Sequence, residues 1–271
     1  MTARRYKKQE RHEHILLELR LKPHVRVADL AKQFGVTTET VRRDIEDLGR
    51  DGLVQRAHGG ASMRAPGTHR DLDERRLERV AERERLGRFA ASLVVEGSSI
   101  MVDAGTTTME FARSLAFAQT RVTVITNSLQ VAMILGQNPA AEVRLTPGEY
   151  LPREAALIGT ETCEYLAGYN VDACFIGAAG FSEAGVTEAI TGFGAVKRAM
   201  MRQSRARFVL VDASKFGQTH ISQVARLEEI GCLVSDRPPT VPLAGLLRKH
   251  GTECRFPEPD EAPPPRRSAD A

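Results

Sequence analysis

The chain has 271 residues and 42% hydrophobic content, enough for two domains with sizeable cores. No apolar run is long enough to cross a membrane and the N-terminus is polar, so a cytoplasmic protein is expected. The four cysteines are widely scattered and form no Cys/His cluster, which argues against a zinc site or a disulfide framework; no cofactor is implied. The net charge of +3 is uneven. Residues 1–60 hold 13 Lys and Arg against 9 Asp and Glu, while the remainder is near neutral. A basic leading domain on a near-neutral body points to a polyanion partner for the front part alone.

The first predicted helix carries Ile15, Leu16 and Leu19. It is preceded by Arg4, Arg5, Lys7 and Lys8, which suit phosphate contacts that give affinity but little sequence choice. Pro23 ends it. A short amphipathic helix follows over residues 27–34; Arg26 falls near its N-cap, where Ser or Thr would serve better. Gly35 closes this helix by accepting the left-handed conformation, and Thr37 or Thr38 caps the next. There Val41, Ile45 and Leu48 recur at spacings of four and three and define a buried face. Thr38, Thr40, Arg42 and Arg43 fall off that face, crowded into the first turns. Two helices, a tight glycine turn and early arginine and hydroxyl groups make a helix-turn-helix reader of double-stranded DNA. Residues 53–60 alternate and end in Gly-Gly, which predicts a strand and turn, a wing aiming Arg56 and His58 at the DNA backbone or minor groove.

The run Val27-Ala28-Asp29-Leu30-Ala31 through Thr40-Val41-Arg42-Arg43-Asp44, then Gly52-Leu53-Val54 and Arg56-Ala57-His58-Gly59-Gly60-Ala61, resembles the winged-helix domain of the DeoR family of bacterial transcription regulators. The resemblance implies DNA binding, usually repression.

Residues 62–74 read as a linker, 75–95 as one charged helix leading into the second domain, and 257–271 as a disordered tail. The expected domains are therefore 1–61 and 75–256. From residue 98, apolar runs alternate with amphipathic ones. The predicted strands are Ser99–Asp103, Val122–Thr126, Val143–Thr146, Ala173–Gly177, Phe208–Asp212 and Cys232–Ser235. Runs without polar alternation predict an α/β fold, a Rossmann-like parallel sheet covered on both faces. Ligands bind beyond the carboxyl ends of such strands. Those ends carry Asp103, then Gly105, Thr106, Thr107 and Thr108 at a helix start. They also carry Thr126 and Asn127, then Gly148, then Asp212 and Lys215, with Lys197 on the helix between strands four and five. Gly105 is expected to let the backbone turn tightly, and the amides and hydroxyls beyond it form an anion cradle. Lys197 and Lys215 suit a phosphate, and Asp103 and Asp212 suit hydroxyl groups, the chemistry of a phosphorylated sugar or polyol.

Asp103 through Thr108, Thr126-Asn127-Ser128, Val196-Lys197-Arg198-Ala199-Met200 and Asp212 through Gly217 resemble effector-domain motifs of the same family. The resemblance implies a fold similar to the ribose-5-phosphate isomerase and CoA-transferase group, and a sugar-phosphate effector. Pro147-Gly148 stands where family members usually carry Gly-Gly. The leading expectation is a repressor of a sugar or polyol catabolic operon. It would be a homo-oligomer, dimer or tetramer, because one winged helix reads only a short half-site. The alternative is a sugar-phosphate isomerase-like enzyme with a DNA-binding appendage and Asp103, Glu188 or Asp212 as base, although no acid/base pair stands at a distinctive spacing. An architectural DNA binder without an effector is the third.

Overall fold

The computed structural model describes residues 6–21, 24–50, 54–57, 59–63 and 72–258. The chain divides into two compact units, Met1–His69 and Arg70–Ala271. Of the expected linker, Ser62 and Met63 belong to a strand and residues 72–74 open a helix. Of the expected tail, residues 257 and 258 are irregular and the rest lie outside the described residues.

The first unit contains helices α1 (Lys8–Leu21), α2 (Val27–Phe34) and α3 (Thr38–Arg50), with short strands β1 (His24–Arg26), β2 (Val54–Ala57) and β3 (Gly60–Met63). The strands form an antiparallel sheet in the order β1-β3-β2. Ile15, Leu19, Leu30, Phe34, Val41, Ile45, Leu48 and Val54 are buried together, so the spacing read from the third helix is its core face. Gly35 adopts φ 65°, the left-handed conformation that ends α2. The wing turn needs both its glycines. Gly59 has φ 73°, and a Cβ on Gly60 would stand 1.9 Å from the Val25 carbonyl oxygen. Arg26 caps α2 with no side-chain hydrogen bond. Instead the Val27 amide, an unpaired donor at the helix start, donates to the Gly59 carbonyl at 3.0 Å. The wing turn thus does part of the work of the missing hydroxyl.

Asp44 is buried although the sequence reading gave it no role. It accepts two hydrogen bonds from Arg11, at 2.6 and 3.0 Å, and lies 3.3 Å from His12 Nε2. The carboxylate pins α1 to the back of α3 and lifts the Arg11 guanidinium above its ordinary pKa, chiefly through this hydrogen bond. Asp44→Ala would leave Arg11 without its charge partner, and is expected to destabilise this unit by about 3 kcal/mol. Calorimetry checks this as a fall in the unit's transition temperature.

The second unit begins with α4 (Leu72–Arg76) and α5 (Val80–Ala91) rather than the single helix expected. The break falls at Arg79, a non-glycine residue at φ 47°. Its main sheet contains seven parallel strands: β4 (Ser99–Val102), β5 (Val122–Thr126), β6 (Ala141–Leu145), β9 (Val171–Gly177), β12 (Ser204–Val211), β14 (Cys232–Ser235) and β15 (Glu253–Arg255). Five further strands lie off it: β7 (Glu149–Leu151) and β8 (Ala156–Ile158) as a hairpin, and β10 (Gly180–Ser182) with β11 (Gly185–Glu188), joined by β13 (Ser222–Ala225). The helices are α6 (Thr106–Phe117), α7 (Leu129–Leu135), α8 (Thr160–Ala167), α9 (Thr191–Arg202) and α10 (Val241–Lys249).

The main sheet runs β15-β14-β12-β9-β4-β5-β6. All six predicted strands are in it. Alternate residues of each central strand feed opposite cores, which explains the unbroken apolar runs. Ile100, Val102, Val124 and Phe175 pack with Leu86, Phe111 and Leu135 from α5, α6 and α7. Met101, Ile125, Ile176 and Val209 pack with Leu166, Val196 and Leu247 from α8, α9 and α10. From β4 the chain goes outward through β5 to β6, and from β9 it goes the other way through β12 to β15. The strand order therefore reverses between β4 and β9, where an α/β sheet opens a crevice at its carboxyl ends.

Candidate functional site

In the first unit the exposed face of α3 is the candidate surface. Arg42 and Arg43 have side chains 61% and 76% exposed, each within 3.7 Å of Glu39 and otherwise facing solvent. Thr37 and Thr38 are exposed and Thr40 is half-buried. The Thr40 amide donates to Thr37 Oγ at 3.2 Å, and the two hydroxyls are 2.9 Å apart. Of the two candidates read from sequence, Thr37 is thus the N-cap, and the cap takes up part of the hydroxyl's capacity to meet DNA. Arg4, Arg5 and His58 lie outside the described residues, as does the side chain of Arg56, whose backbone belongs to β2.

In the second unit the residues predicted at the strand ends fall into two charged centres, with Thr126, Asn127 and Gly148 joined to neither by a hydrogen bond among the described residues. Asp103, at the end of β4, is fully buried. Its Oδ2 accepts the Gly177 amide at 3.1 Å and the Lys197 ammonium, bridging β4, β9 and α9 at the reversal point. Lys197 also donates to the Gly177 carbonyl at 2.9 Å and lies 3.0 Å from Glu188 Oε1. All three N–H donors of Lys197 are therefore used, and it is not a spare cation for a phosphate. Burial disfavours the ammonium, but Asp103 and Glu188 outweigh that and raise the Lys197 pKa. Asp103 is raised as well, because burial, aided by Glu188, outweighs Lys197. Glu188, weighed from sequence only as a possible base, is a structural partner of this pair.

Asp212, at the end of β12, is the second centre. Its Oδ1 accepts the Ser214 amide at 3.0 Å. Arg79 Nε is 3.9 Å from Oδ1 and Arg83 Nε 3.7 Å from Oδ2. Burial pushes its pKa up, but Lys215, Ser214, Arg83 and Arg79 together hold it below the ordinary carboxylate range. The Lys215 ammonium makes no hydrogen bond among the described residues. Its pKa is lowered, first by burial and then by Arg83 and Arg75 against the pull of Asp212 and Glu188. Burial likewise lowers Arg83, which donates to the Glu78 carbonyl at 2.8 Å. The sequence reading missed Arg79 and Arg83. Their signal was the run of arginines at 75–83, which reads only as part of one charged helix.

The threonine-rich helix start is partly structural. Thr108 Oγ donates to the Asp103 and Gly105 carbonyls at 2.9 and 3.0 Å and ties the loop down. Gly105 does not provide the tight turn expected of it. Its φ of 174° is extended, and a Cβ there would meet only Thr108 Oγ at 3.5 Å. Thr106 and Thr107 stay at the buried start of α6. Thr126 Oγ accepts the Ser128 amide at 3.0 Å, and Asn127 donates to the Leu157 carbonyl at 2.8 Å. Gly148 is explained by packing, since a Cβ would come within 2.1 Å of Thr162 Oγ.

An exposed arginine-bearing helix behind a glycine turn, with a wing, and a separate α/β unit holding charged groups at its strand tips define a DNA-binding regulator with a sensor domain. The comparisons agree: residues 11–66 match the DeoR-like helix-turn-helix domain and residues 78–237 the DeoR C terminal sensor domain. The chain belongs to the DeoR family of transcription regulators and is not an enzyme. It is 35% identical to the HTH-type transcriptional repressor GlcR of Bacillus subtilis, over 89% of this chain and 94% of that one. It is 28% identical to the glycerol-3-phosphate regulon repressor of Escherichia coli, over 90% and 97%. Among solved structures, a ribose 5-phosphate isomerase A from Methanocaldococcus jannaschii covers 49% of this chain and 53% of its own at 21% identity, with a TM-score of 0.37.

Proposed function

We propose that this regulator represses a sugar or polyol catabolic operon and senses a phosphorylated sugar or polyol at the carboxyl edge of its sheet. One observation carries the sensor reading. Buried polar atoms without a hydrogen-bond partner among the described residues, Asp103 Oδ1, Asn127 Oδ1, Thr146 Oγ and Asp212 Oδ2, stand at the ends of β4, β5, β6 and β12. A buried acceptor without a donor costs about 1–3 kcal/mol. Four of them at one edge suit a ligand bearing several hydroxyl groups. Lys215, Arg79 and Arg83 supply the positive charge for its phosphate, and the Gly105–Thr107 segment adds amides and hydroxyls. Lys197 then acts by holding Asp103 in place. The relative named for a glycerol-3-phosphate regulon supports the same ligand class.

On the DNA side, Thr38, Thr40, Arg42 and Arg43 read the major groove, with Arg56 and His58 on the wing and Arg4 and Arg5 on phosphates. A symmetric dimer or tetramer in the cytoplasm presents two such helices to a two-fold operator. Light scattering that shows a monomer with full operator affinity would contradict that assembly. No helix among the described residues is long and apolar enough to cross a membrane.

A thermal-shift panel of sugar and polyol phosphates against the unphosphorylated compounds tests the sensor reading. A phosphate ester should raise the melting temperature and alter operator occupancy in a mobility-shift titration; no response to any ester would remove the assignment. Lys215→Met is expected to weaken the ester at least tenfold while leaving operator affinity unchanged. Because Lys215 titrates below the ordinary lysine value of 10.5, ester affinity should fall on the alkaline side before an ordinary lysine would deprotonate. Calorimetric titration across pH checks this, and a flat profile would clear Lys215 of phosphate contact.

A further inference from the structure

A second cationic hollow lies away from the strand tips. Helix α9 leaves the carboxyl edge, where Lys197 meets Asp103, and runs back to the amino ends, where the Gln203 carbonyl accepts the Val171 amide at 2.9 Å. Between the later turns of α9 and β13 with the segment after it is a groove of about 350 Å³, lined by Arg198, Arg202, Arg207 and Arg226 and by one acidic residue, Glu229. Four guanidinium groups outnumber Glu229 and the Glu228 carboxylate 4.0 Å from Arg226, so the hollow keeps a net positive charge.

We propose that this groove is a second anion-binding site, taking a compact ligand with two or more negative charges, of the diphosphate or tricarboxylate class. Two of the arginines are held in place by backbone carbonyls. Arg207 donates through Nε to the Met201 carbonyl at 3.0 Å and through Nη1 to that of Glu229 at 3.3 Å, and Arg198 donates to the Gln223 carbonyl. These anchors fix the forks without neutralising them and leave other N–H groups open. Arg202 has no hydrogen bond or ion pair among the described residues, and Arg226 reaches only Glu228 Oε1 at 4.0 Å. The Glu229 carboxylate is turned onto the Arg226 amide at 2.8 Å, so it offsets the cations only in part. Met201, Val224 and Ala225, all buried, form an apolar floor that weakens screening beneath the charges. Planar forks lining a hollow of this size suit bidentate binding of phosphate or carboxylate oxygens. The site shares no residue with the carboxyl edge and does not depend on the ligand proposed there.

Calorimetric titration of the full chain with inorganic pyrophosphate tests it, using the parent, Arg202→Glu/Arg226→Glu and Arg83→Met. Both groove positions are exposed, so the double variant should fold, and circular dichroism confirms it; Arg202→Gln/Arg226→Gln is the milder substitute. The expected result is saturable binding that weakens at least tenfold in the groove variants and with added salt, while Arg83→Met keeps a site of parental affinity. No saturable binding, or parental affinity in the groove variants, would overturn the proposal. So would binding of an acidic hexapeptide but not pyrophosphate, which would make the hollow a protein contact.

Discussion

Lys197→Met is expected to lower the unfolding free energy by about 3–5 kcal/mol, the usual penalty for removing one partner of a buried charge cluster. The ammonium lies between Asp103 and Glu188 and also holds the Gly177 carbonyl. Without it, two buried carboxylates face each other with no cation, and the ends of β4 and β9 lose their bridge. The deficit should shrink as pH falls, because Asp103, whose pKa burial raises, takes up a proton and the repulsion ends. Denaturant unfolding at several pH values measures this, and a pH-independent deficit would point to lost packing instead. The parent chain has its own pH limits. Lys197 is raised above its ordinary 10.5, so its contribution is complete at neutral pH and disappears as pH climbs through the raised value. Asp212 is held below the usual 3.8, so its contribution is present above that value and is lost as pH falls through the depressed one.

Arg42→Ala/Arg43→Ala should lower operator affinity by about a hundredfold or more, since one arginine on guanine supplies roughly 1–3 kcal/mol of discrimination. Stability should move by less than about 0.5 kcal/mol, because both side chains are exposed and meet only Glu39 at 3.6 and 3.7 Å. The salt dependence separates two roles. An arginine on a base alters sequence preference. One on a phosphate reduces the slope of log affinity against log salt by about 0.9 and weakens all sequences alike. Footprinting or mobility-shift titrations against operator and scrambled DNA distinguish them. Undiminished affinity in the double variant would move the reading face off α3.

The two variants also mark how far local pattern reaches. The buried face of α3 could be read from Val41, Ile45 and Leu48, because helical periodicity is a property of neighbouring residues. The six apolar runs that became β4, β5, β6, β9, β12 and β14 were visible for the same reason, though β6, β9 and β12 begin two to four residues earlier than expected. The edge strand β15 was not visible. Its residues Glu253-Cys254-Arg255 carry no apolar run, and it is a strand because β14 is there to pair with it. The break at Arg79 was equally hidden, since nothing local favours a left-handed arginine.

Chain order and hydropathy were sufficient for the helix pair with its glycine turn, the doubly wound sheet and the set of residues at its carboxyl edge, because these follow from spacing and strand direction. Which charges meet there follows from neither. Lys197 and Asp103 are 94 residues apart, and Arg11 and Asp44 are 33 apart. Arg79 and Arg83 reach Asp212 from across the domain. Such partners are brought together by the packing of whole elements, and only that packing distinguishes a lysine committed to two carboxylates from one left open to a ligand.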